Sequence, residues 1–116
     1  MNEGAIILAP IPQADAEDKI RPVLLLRRFP KYDDGLACGV STQLHQLIPG
    51  FDELIGPDAE DFPASRLRQP SVIRLGFLCV LPVVRIRGQI GEISSTRHRR
   101  LLENLAAHLL RVRAPG

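Results

Sequence analysis

The sequence is poor in aromatic residues: it has no tryptophan, one tyrosine and four phenylalanines among 116 residues. Recognition of a nucleic acid dominated by base stacking on aromatic side chains is therefore not expected. Hydrophobic residues nevertheless make up 45% of the chain, which is enough for a mostly aliphatic core and argues against disorder. The length is typical of one domain, and we expect residues 1–116 to form a single domain.

Long hydrophobic runs are also missing. The longest uncharged apolar stretch, Leu75 to Val84, is interrupted by Gly76 and Pro82 and is far shorter than the roughly 20 residues of a spanning helix. The apolar residues near the N-terminus follow Glu3 rather than a basic segment, so a signal peptide is not expected. We expect no membrane association and a cytoplasmic location.

Cysteine is scarce and the common catalytic motifs are absent. Cys38 and Cys79 do not form a CxxC pair and are predicted to be buried, reduced thiols. The three histidines, at positions 45, 98 and 108, do not combine with cysteine or carboxylates at ligand spacing. The sequence has no P-loop, GxGxxG, HExxH or GxSxG motif. We therefore expect no metal and no other cofactor.

Charge is distributed unequally along the chain. Residues 1–62 carry five Lys/Arg against eleven Asp/Glu, whereas residues 63–116 carry ten arginines against two acidic residues. Arginine presents a planar set of donors that suits phosphate. The basic half therefore indicates either a nucleic-acid partner or an acidic protein partner, and composition does not decide between them.

Short strands separated by turn residues precede a single helix. Strands are predicted at Gly4–Pro10, Arg21–Arg28 and Leu36–Ser41, with Pro10 and Pro12 ending the first. The sequence "KYDDG" between the second and third strands predicts a hairpin whose Asp–Gly pair adopts positive φ. A short strand or a turn is predicted near 51–55. Further strands are predicted at 71–82 and, with a glycine interruption, at 83–94; "ASRLRQ" (64–69) predicts a helical turn.

The C-terminal segment has helical spacing. Ser94 to Thr96 are N-cap candidates, and apolar residues follow at 101, 102, 105, 106, 109, 110 and 112. We expect the face formed by Leu101, Leu102, Leu105 and Leu109 to pack on the sheet. The arrangement predicts a small, strongly curved antiparallel sheet or barrel with one terminal helix.

Arg21 and Ser41 come close together if the second and third strands form a hairpin. Arg21 and Ser41 then both lie at the end away from the turn, with Thr42 next in sequence and Arg74 on a later strand. An arginine and a hydroxyl at an open sheet end can hold a phosphodiester. The alternative is that Ser41 and Thr42 begin a loop and bond to nearby backbone.

These segments, taken in order, resemble the MazF/PemK toxins, the small endoribonucleases of bacterial toxin–antitoxin modules. The resemblance lies in "GAIILAPIP", "RPVLLL", "GVSTQ", "QPSVIRLGFL" and "IGEISSTRHRRLLENL" and covers nearly the whole chain. It implies a mainly β fold: an SH3-like barrel with an extended twisted antiparallel sheet and a C-terminal helix, usually assembled as a homodimer. It also implies a cognate antitoxin as partner.

The resemblance further implies metal-independent cleavage of single-stranded RNA by attack of a 2′-hydroxyl on the adjacent phosphorus. By position, Arg21 would stabilise the charge that builds on phosphorus, Ser41 and Thr42 would supply the catalytic hydroxyl, and Arg74 would be the proton donor. Among the other arginines, Arg85, Arg87 and Arg97 are the expected RNA contacts.

One position departs from the pattern of the PemK-like members. Two residues after the second arginine they commonly carry an aspartate that acts as base, and this chain has Gly76. Two hypotheses follow. The first is a toxin that cleaves single-stranded RNA; the second is an attenuated or inactive relative that binds RNA or protein on the same scaffold.

Overall fold

The computed structural model describes residues 2–12 and 17–111. It contains six strands and two α-helices: β1 (Ala5–Pro12), β2 (Asp18–Arg28), β3 (Gly35–Ser41), β4 (Glu53–Ile55), α1 (Phe62–Ser65), β5 (Ser71–Leu81), β6 (Gly88–Glu92) and α2 (Ser95–Leu109). The strands form one antiparallel sheet in the order β4-β5-β3-β2-β1-β6, curled into a half barrel. The predicted mainly β fold with a C-terminal helix is confirmed.

The first strand is longer than predicted. It runs through both prolines to Pro12, which pairs with Asp18 of β2. On its other side, β1 pairs with β6 only from Ala5 to Leu8. The prolines therefore lie where β1 has a neighbour on one side alone, and there a missing N–H costs no ladder bond.

The hairpin between β2 and β3 is present, but glycine has a different role in it. The residues with positive φ are Lys31 and Asp33. Gly35 is instead the first residue of β3, where a Cβ atom would lie 2.6 Å from Cδ1 of Leu25. A side chain at position 35 would therefore require the Leu25 side chain to move, and turn conformation is not what favours glycine there.

Two other local predictions need correction. The helical turn predicted at 64–69 lies earlier, at Phe62–Ser65. The strand predicted from 83 begins only at Gly88, because a 3₁₀ turn occupies Val83–Arg85. The segment at 71–82 is a strand as predicted, ending at Leu81.

Apolar side chains cover both faces of the sheet. One cluster includes Ile6, Leu24 and Ile73 and packs against Leu101 and Leu105 of α2, with Leu102 partly buried beside them. A second cluster on the opposite face is built from Ala5, Ile7, Ala9, Ile11, Val23, Leu25, Ala37 and Leu81. The predicted packing of α2 is thus correct for its first three leucines but wrong for Leu109, which is 67% exposed. The helical position predicted at 112 lies outside the described residues.

Helix α2 begins against the dipole rule, with arginines in its first turns and no acidic residue. Acidic groups come from elsewhere in the chain. The Ser94 side chain accepts a hydrogen bond from the backbone N–H of Arg97, and Asp61 accepts one from the N–H of Ser94 at 3.1 Å. The Arg97 guanidinium lies 2.8 Å from Asp61 and 2.8 Å from Glu53, which Arg100 also contacts. This cluster fixes α2 to β4 and to the start of α1.

The Asp61 carboxyl makes stability depend on pH. Its burial opposes ionisation, but the hydrogen bonds from Arg97 and Ser94 outweigh burial, so the pKa of Asp61 lies below its ordinary value. A carboxyl with a lowered native pKa stabilises the fold above its unfolded pKa of about 3.9, and that contribution is lost as pH falls towards the native pKa.

We therefore expect the free energy of unfolding to decline below about pH 4, and the decline to be shallower in Asp61→Asn. Urea denaturation between pH 3 and pH 6 measures both slopes. Glu103→Gln is the control, because Glu103 is exposed in its pair with Arg99, and it should keep the wild-type slope. An Asp61→Asn variant with an unchanged slope would contradict the assignment.

Neither helix within the described residues is long and apolar enough to cross a membrane.

Candidate functional site

The site begins at an irregularity in β5. Cys38 pairs with Leu78, but the next residue of β3, Gly39, pairs with Arg74, so Leu75 to Phe77 bulge out of the ladder. Asp52 secures this bulge: one carboxylate oxygen accepts a hydrogen bond from the N–H of Leu75 at 3.0 Å, and the other accepts one from the N–H of Ile48 at 2.9 Å. The bulge places Arg74 beside β3.

A gap between two strands forms the other half of the site. The pairing of β2 with β3 extends from the hairpin turn to Val23 and Gly39 and stops there. Beyond that pair, β2 stays with β1, where Arg21 lies opposite Ala9, and β3 stays with β5, where Ser41 lies opposite Val72. Arg21 and Ser41 therefore lie on two strands that diverge, one on each side of an opening.

The opening is a cleft of about 370 Å³. It brings together all four residues predicted to be catalytic: Arg21, Ser41, Thr42 and Arg74. The remaining lining comes from Ile11, Pro22, Val23, Gly39, Val40, Gln43, Gln46 and Phe77. The hairpin argument from sequence thus placed Arg21 and Ser41 correctly at one opening.

The two arginines of the cleft are not neutralised. Within the described residues, neither Arg21 nor Arg74 forms an ion pair, whereas Arg27, Arg28, Arg85, Arg97, Arg99 and Arg100 all do. Arg74 instead lies over the ring of Phe77, 5.8 Å from its centroid. Two unpaired guanidinium groups at one concave site favour an anion there.

The hydroxyl of Ser41 has a local bond as well as a place in the cleft. Its oxygen accepts a hydrogen bond from the N–H of Gln43 at 3.0 Å. This is the loop-type bond that sequence offered as the alternative to a functional role. The bond uses the oxygen as an acceptor, so it fixes the side chain and leaves the hydroxyl proton to donate.

No described residue that lines the cleft is a carboxylate or a histidine. At position 76 the backbone is exposed, and a Cβ atom would meet only the Phe51 ring, at 4.0 Å. The structure therefore has room for a side chain at position 76. The cleft carries two guanidinium groups, but its described lining holds no group that accepts a proton near neutral pH.

Two further side chains that line the cleft were not singled out in the sequence. The Oε1 atom of Gln46 is buried without a hydrogen-bond partner, in a side chain that lines the cleft. Phe77 lies on Gly39, where a Cβ atom would come within 3.1 Å of its ring, and is 38% exposed. Gln46 belongs to a short 3₁₀ turn and Phe77 to a bulge, and neither of these structures is indicated by a recognisable sequence pattern.

The three arginines predicted to contact RNA lie outside the cleft lining. Arg85 is exposed and pairs with Asp18 at 3.6 Å, and Arg87 is exposed in the segment before β6. Arg97 is buried and engaged by Asp61 and Glu53, so its predicted RNA contact conflicts with its position. We assign Arg97 to the scaffold.

The two cysteines and two of the histidines, His98 and His108, pack or bond within the fold. Cys38 is buried and Cys79 half-buried, both as free thiols, and burial raises the pKa of each. His98 contacts the carbonyl oxygen of Leu26 through Nε2 at 2.7 Å, and the His108 ring packs on Phe51. In the part of the chain that the structure describes, no group of three or more potential ligands could hold a metal ion.

Comparison with known proteins identifies a matching family and a solved structure of similar fold. The family model described as "PemK-like, MazF-like toxin of type II toxin-antitoxin system" matches residues 2–109. Among solved structures, the fold is similar to that of the Mycobacterium tuberculosis toxin MazF-mt6, with a TM-score of 0.67 and 23% identity. That match covers 90% of this chain and 95% of the other. A search of curated proteins found no significant match.

Proposed function

Because the chain belongs to the PemK-like, MazF-like toxins of type II toxin–antitoxin systems, we propose that it is an endoribonuclease that cuts single-stranded RNA in the cleft between β2 and β3. The observation that carries the proposal is the convergence of Arg21, Ser41, Thr42 and Arg74 on one cleft whose arginines have no described ion-pair partner.

The reaction is a transesterification that needs no metal. The 2′-oxygen forms a bond to the adjacent phosphorus, the bond from phosphorus to the 5′-oxygen breaks, and the products are a 2′,3′-cyclic phosphate and a 5′-hydroxyl. The 2′-hydroxyl loses a proton and the 5′-oxygen gains one. Negative charge builds on the phosphoryl oxygens meanwhile, and fixed cations stabilise it.

The cleft residues divide these tasks. Arg21 and Arg74 hold the phosphoryl oxygens with guanidinium donors, and Arg74 also protonates the leaving 5′-oxygen or donates a hydrogen bond to it. Ser41 and Thr42 donate hydroxyl hydrogen bonds to the same phosphate. The unpartnered Oε1 of Gln46 accepts a hydrogen bond from the substrate, and the exposed face of Phe77 packs against one base.

The proton acceptor determines how fast this enzyme works. With no carboxylate or imidazole among the described residues of the cleft, the 2′-hydroxyl gives its proton to solvent, and the rate rises with pH. This same lack supports the second candidate, a relative that binds RNA or an acidic or apolar protein segment through the cleft without cutting.

A cleavage assay in excess chelator separates the two candidates. Purified protein is incubated with single-stranded RNA beside the variants Arg21→Ala and Ser41→Ala. Cleavage that survives chelation and is lost in Arg21→Ala supports the endoribonuclease. Intact RNA at high protein concentration, with binding retained, would refute it and leave the binding module.

Introducing a carboxylate at position 76 should increase the rate of RNA cleavage. The neighbours Arg74 and Phe77 line the cleft, and the site has room for a side chain. We expect Gly76→Asp to raise kcat/KM by on the order of 10²-fold, because general-base catalysis contributes at least that much, and to flatten the rise of rate with pH.

The control is Gly88→Asp, since a Cβ atom at Gly88 meets nothing within 4 Å and the residue does not line the cleft. It adds the same charge and should leave rate and pH profile unchanged. Equal effects of the two aspartates would show that position 76 has no special access to the reaction.

The biological setting follows from the family, whose members pair with antitoxins. We infer that this chain acts in the cytoplasm as a homodimer of single-domain subunits, and that a cognate antitoxin inhibits it. The family match over residues 2–109 supports the single domain.

A further inference from the structure

A second basic groove lies next to the cleft. It has a volume of about 570 Å³ and is lined by Pro22, Arg66, Leu67, Arg68 and Ile90. Pro22 is also part of the cleft lining. The two sites therefore share one proline ring and are contiguous on the surface.

The segment that carries the two arginines is held firmly. Arg66 ends α1 in the left-handed conformation, with φ of 59°, and its N–H donates to the carbonyl of Pro63. The buried Ser65 hydroxyl donates to the carbonyl of Phe62 at 2.6 Å and accepts from the N–H of Leu67 at 3.2 Å. Gly91 packs so closely that a Cβ atom would lie 2.4 Å from the carbonyl oxygens of Ala64 and Ser65. The backbone that presents both arginines is thus fixed from two sides.

The two arginines are unpaired, like those of the cleft. Arg66 and Arg68 are exposed and form no ion pair within residues 2–12 and 17–111, whereas the arginines at 27, 28, 85, 97, 99 and 100 do. Two arginines without a described ion pair line the cleft, and two more line the groove beside it. Two guanidinium groups carried by a well-held backbone suit the oxygens of a phosphate.

The divergence of β2 from β3 connects the two sites. Arg21 and Pro22 are consecutive in an extended strand, so their side chains lie on opposite faces of β2. Because β3 does not pair with β2 beyond Val23, that part of β2 has a flank free of the neighbouring strand. An extended chain that crosses this flank passes from the cleft to the groove.

We propose that the groove around Pro22 is a second phosphate-binding subsite, where Arg66 and Arg68 hold the backbone of the RNA that flanks the cleavage site. The inference rests on the proposed function. It assigns a role to arginines for which the family resemblance supplied none, and it makes affinity depend on RNA length.

The test compares RNA binding by a groove variant and a charge-matched control. The groove variant is Arg66→Gly with Arg68→Ala, because glycine tolerates the positive φ at position 66. The control is Arg27→Ala with Arg99→Ala, which removes the same charge from exposed positions outside both sites. The ligands are 2′-O-methyl RNAs of 3 and 12 nucleotides, which lack the attacking hydroxyl and stay intact.

Fluorescence anisotropy over a salt series gives the result. We expect the groove variant to bind the 12-mer about tenfold more weakly, with a slope of log K against log salt reduced by about 1.4, as for two lost phosphate contacts on a single strand. Its affinity for the 3-mer and both affinities of the control should match the wild type.

If the groove variant kept the wild-type salt slope and the wild-type dependence of affinity on RNA length, the subsite proposal would be refuted. The cleavage proposal would remain intact. The subsite proposal would also be refuted if the groove variant lost binding to an acidic peptide while its RNA binding stayed unchanged, because the groove would then bind a protein. A wild type that neither binds nor cuts RNA would instead refute the proposed function, and the subsite with it.

Discussion

Replacing Arg21 with alanine is expected to lower kcat/KM for single-stranded RNA by on the order of 10²–10³-fold, as loss of one preorganised donor to a developing charge does. Arg21 lies at the opening between β2 and β3 with no ion-pair partner among the described residues. Its charge is therefore available to the phosphate and contributes little to the fold.

The control for this variant comes from the same strand. Arg27 is exposed, pairs with Glu3 and does not line the cleft, so Arg27→Ala should retain wild-type cleavage within about twofold. The measurement is the initial rate of RNA cleavage, with unfolding curves recorded for each variant. Equal losses in Arg21→Ala and Arg27→Ala would mean that general positive charge, rather than the cleft, drives the reaction.

The largest effect on stability is expected at Arg97. Its side chain is 10% exposed and its partner Asp61 is 5% exposed, so Arg97→Ala leaves a buried carboxylate without its counter-charge. Breaking a buried pair in this way costs about 3–5 kcal/mol. That is a large part of the roughly 5–15 kcal/mol that stabilises a typical domain.

Urea denaturation at neutral pH measures the loss. Arg99→Ala, at a side chain that is 84% exposed, should change the free energy of unfolding by less than about 0.5 kcal/mol. If Arg97→Ala does not fold, Arg97→Lys keeps the charge but not the fork of donors and should show a smaller, measurable loss. A loss no greater than that of Arg99→Ala would contradict the structural role of Arg97.

The sequence revealed the fold because its signals were local. Alternating and continuous apolar runs indicated the strands, and Ser94 followed by spaced leucines indicated α2. The errors arose where contacts with residues distant in sequence determine the local structure or the role of a side chain. Pro10 and Pro12 are tolerated because β6 does not pair with that part of β1, and Arg97 is neutralised by residues 36 and 44 positions away.

The cleft was predictable in part for the same reason. Hairpin geometry relates Arg21 to Ser41, and the family resemblance adds Thr42 and Arg74. Gln46 and Phe77 depend on a 3₁₀ turn and on a bulge held by Asp52. No periodicity in the sequence indicates the turn or the bulge, so these two residues could be assigned to the cleft only from the structure.

The charge asymmetry also has a clearer meaning in the structure. Part of it is internal, because acidic residues of the first half neutralise Arg85, Arg97 and Arg100 of the second. Arg66, Arg68 and Arg74 remain without described ion pairs, and all three line the cleft or the groove. These arginines combine the absence of a described ion pair with a position at a concave site.

The central claim is that this cleft cuts RNA through the 2′-hydroxyl, and analysis of the product ends tests it most directly. Single-stranded RNA is incubated with the protein in excess chelator, and the fragments are examined by mass spectrometry beside a fully 2′-deoxy strand of the same sequence. We expect fragments with 2′,3′-cyclic phosphate and 5′-hydroxyl ends and no cleavage of the deoxy strand. Fragments with 5′-phosphate ends, cleavage of the deoxy strand, or activity only when a metal is restored would contradict it.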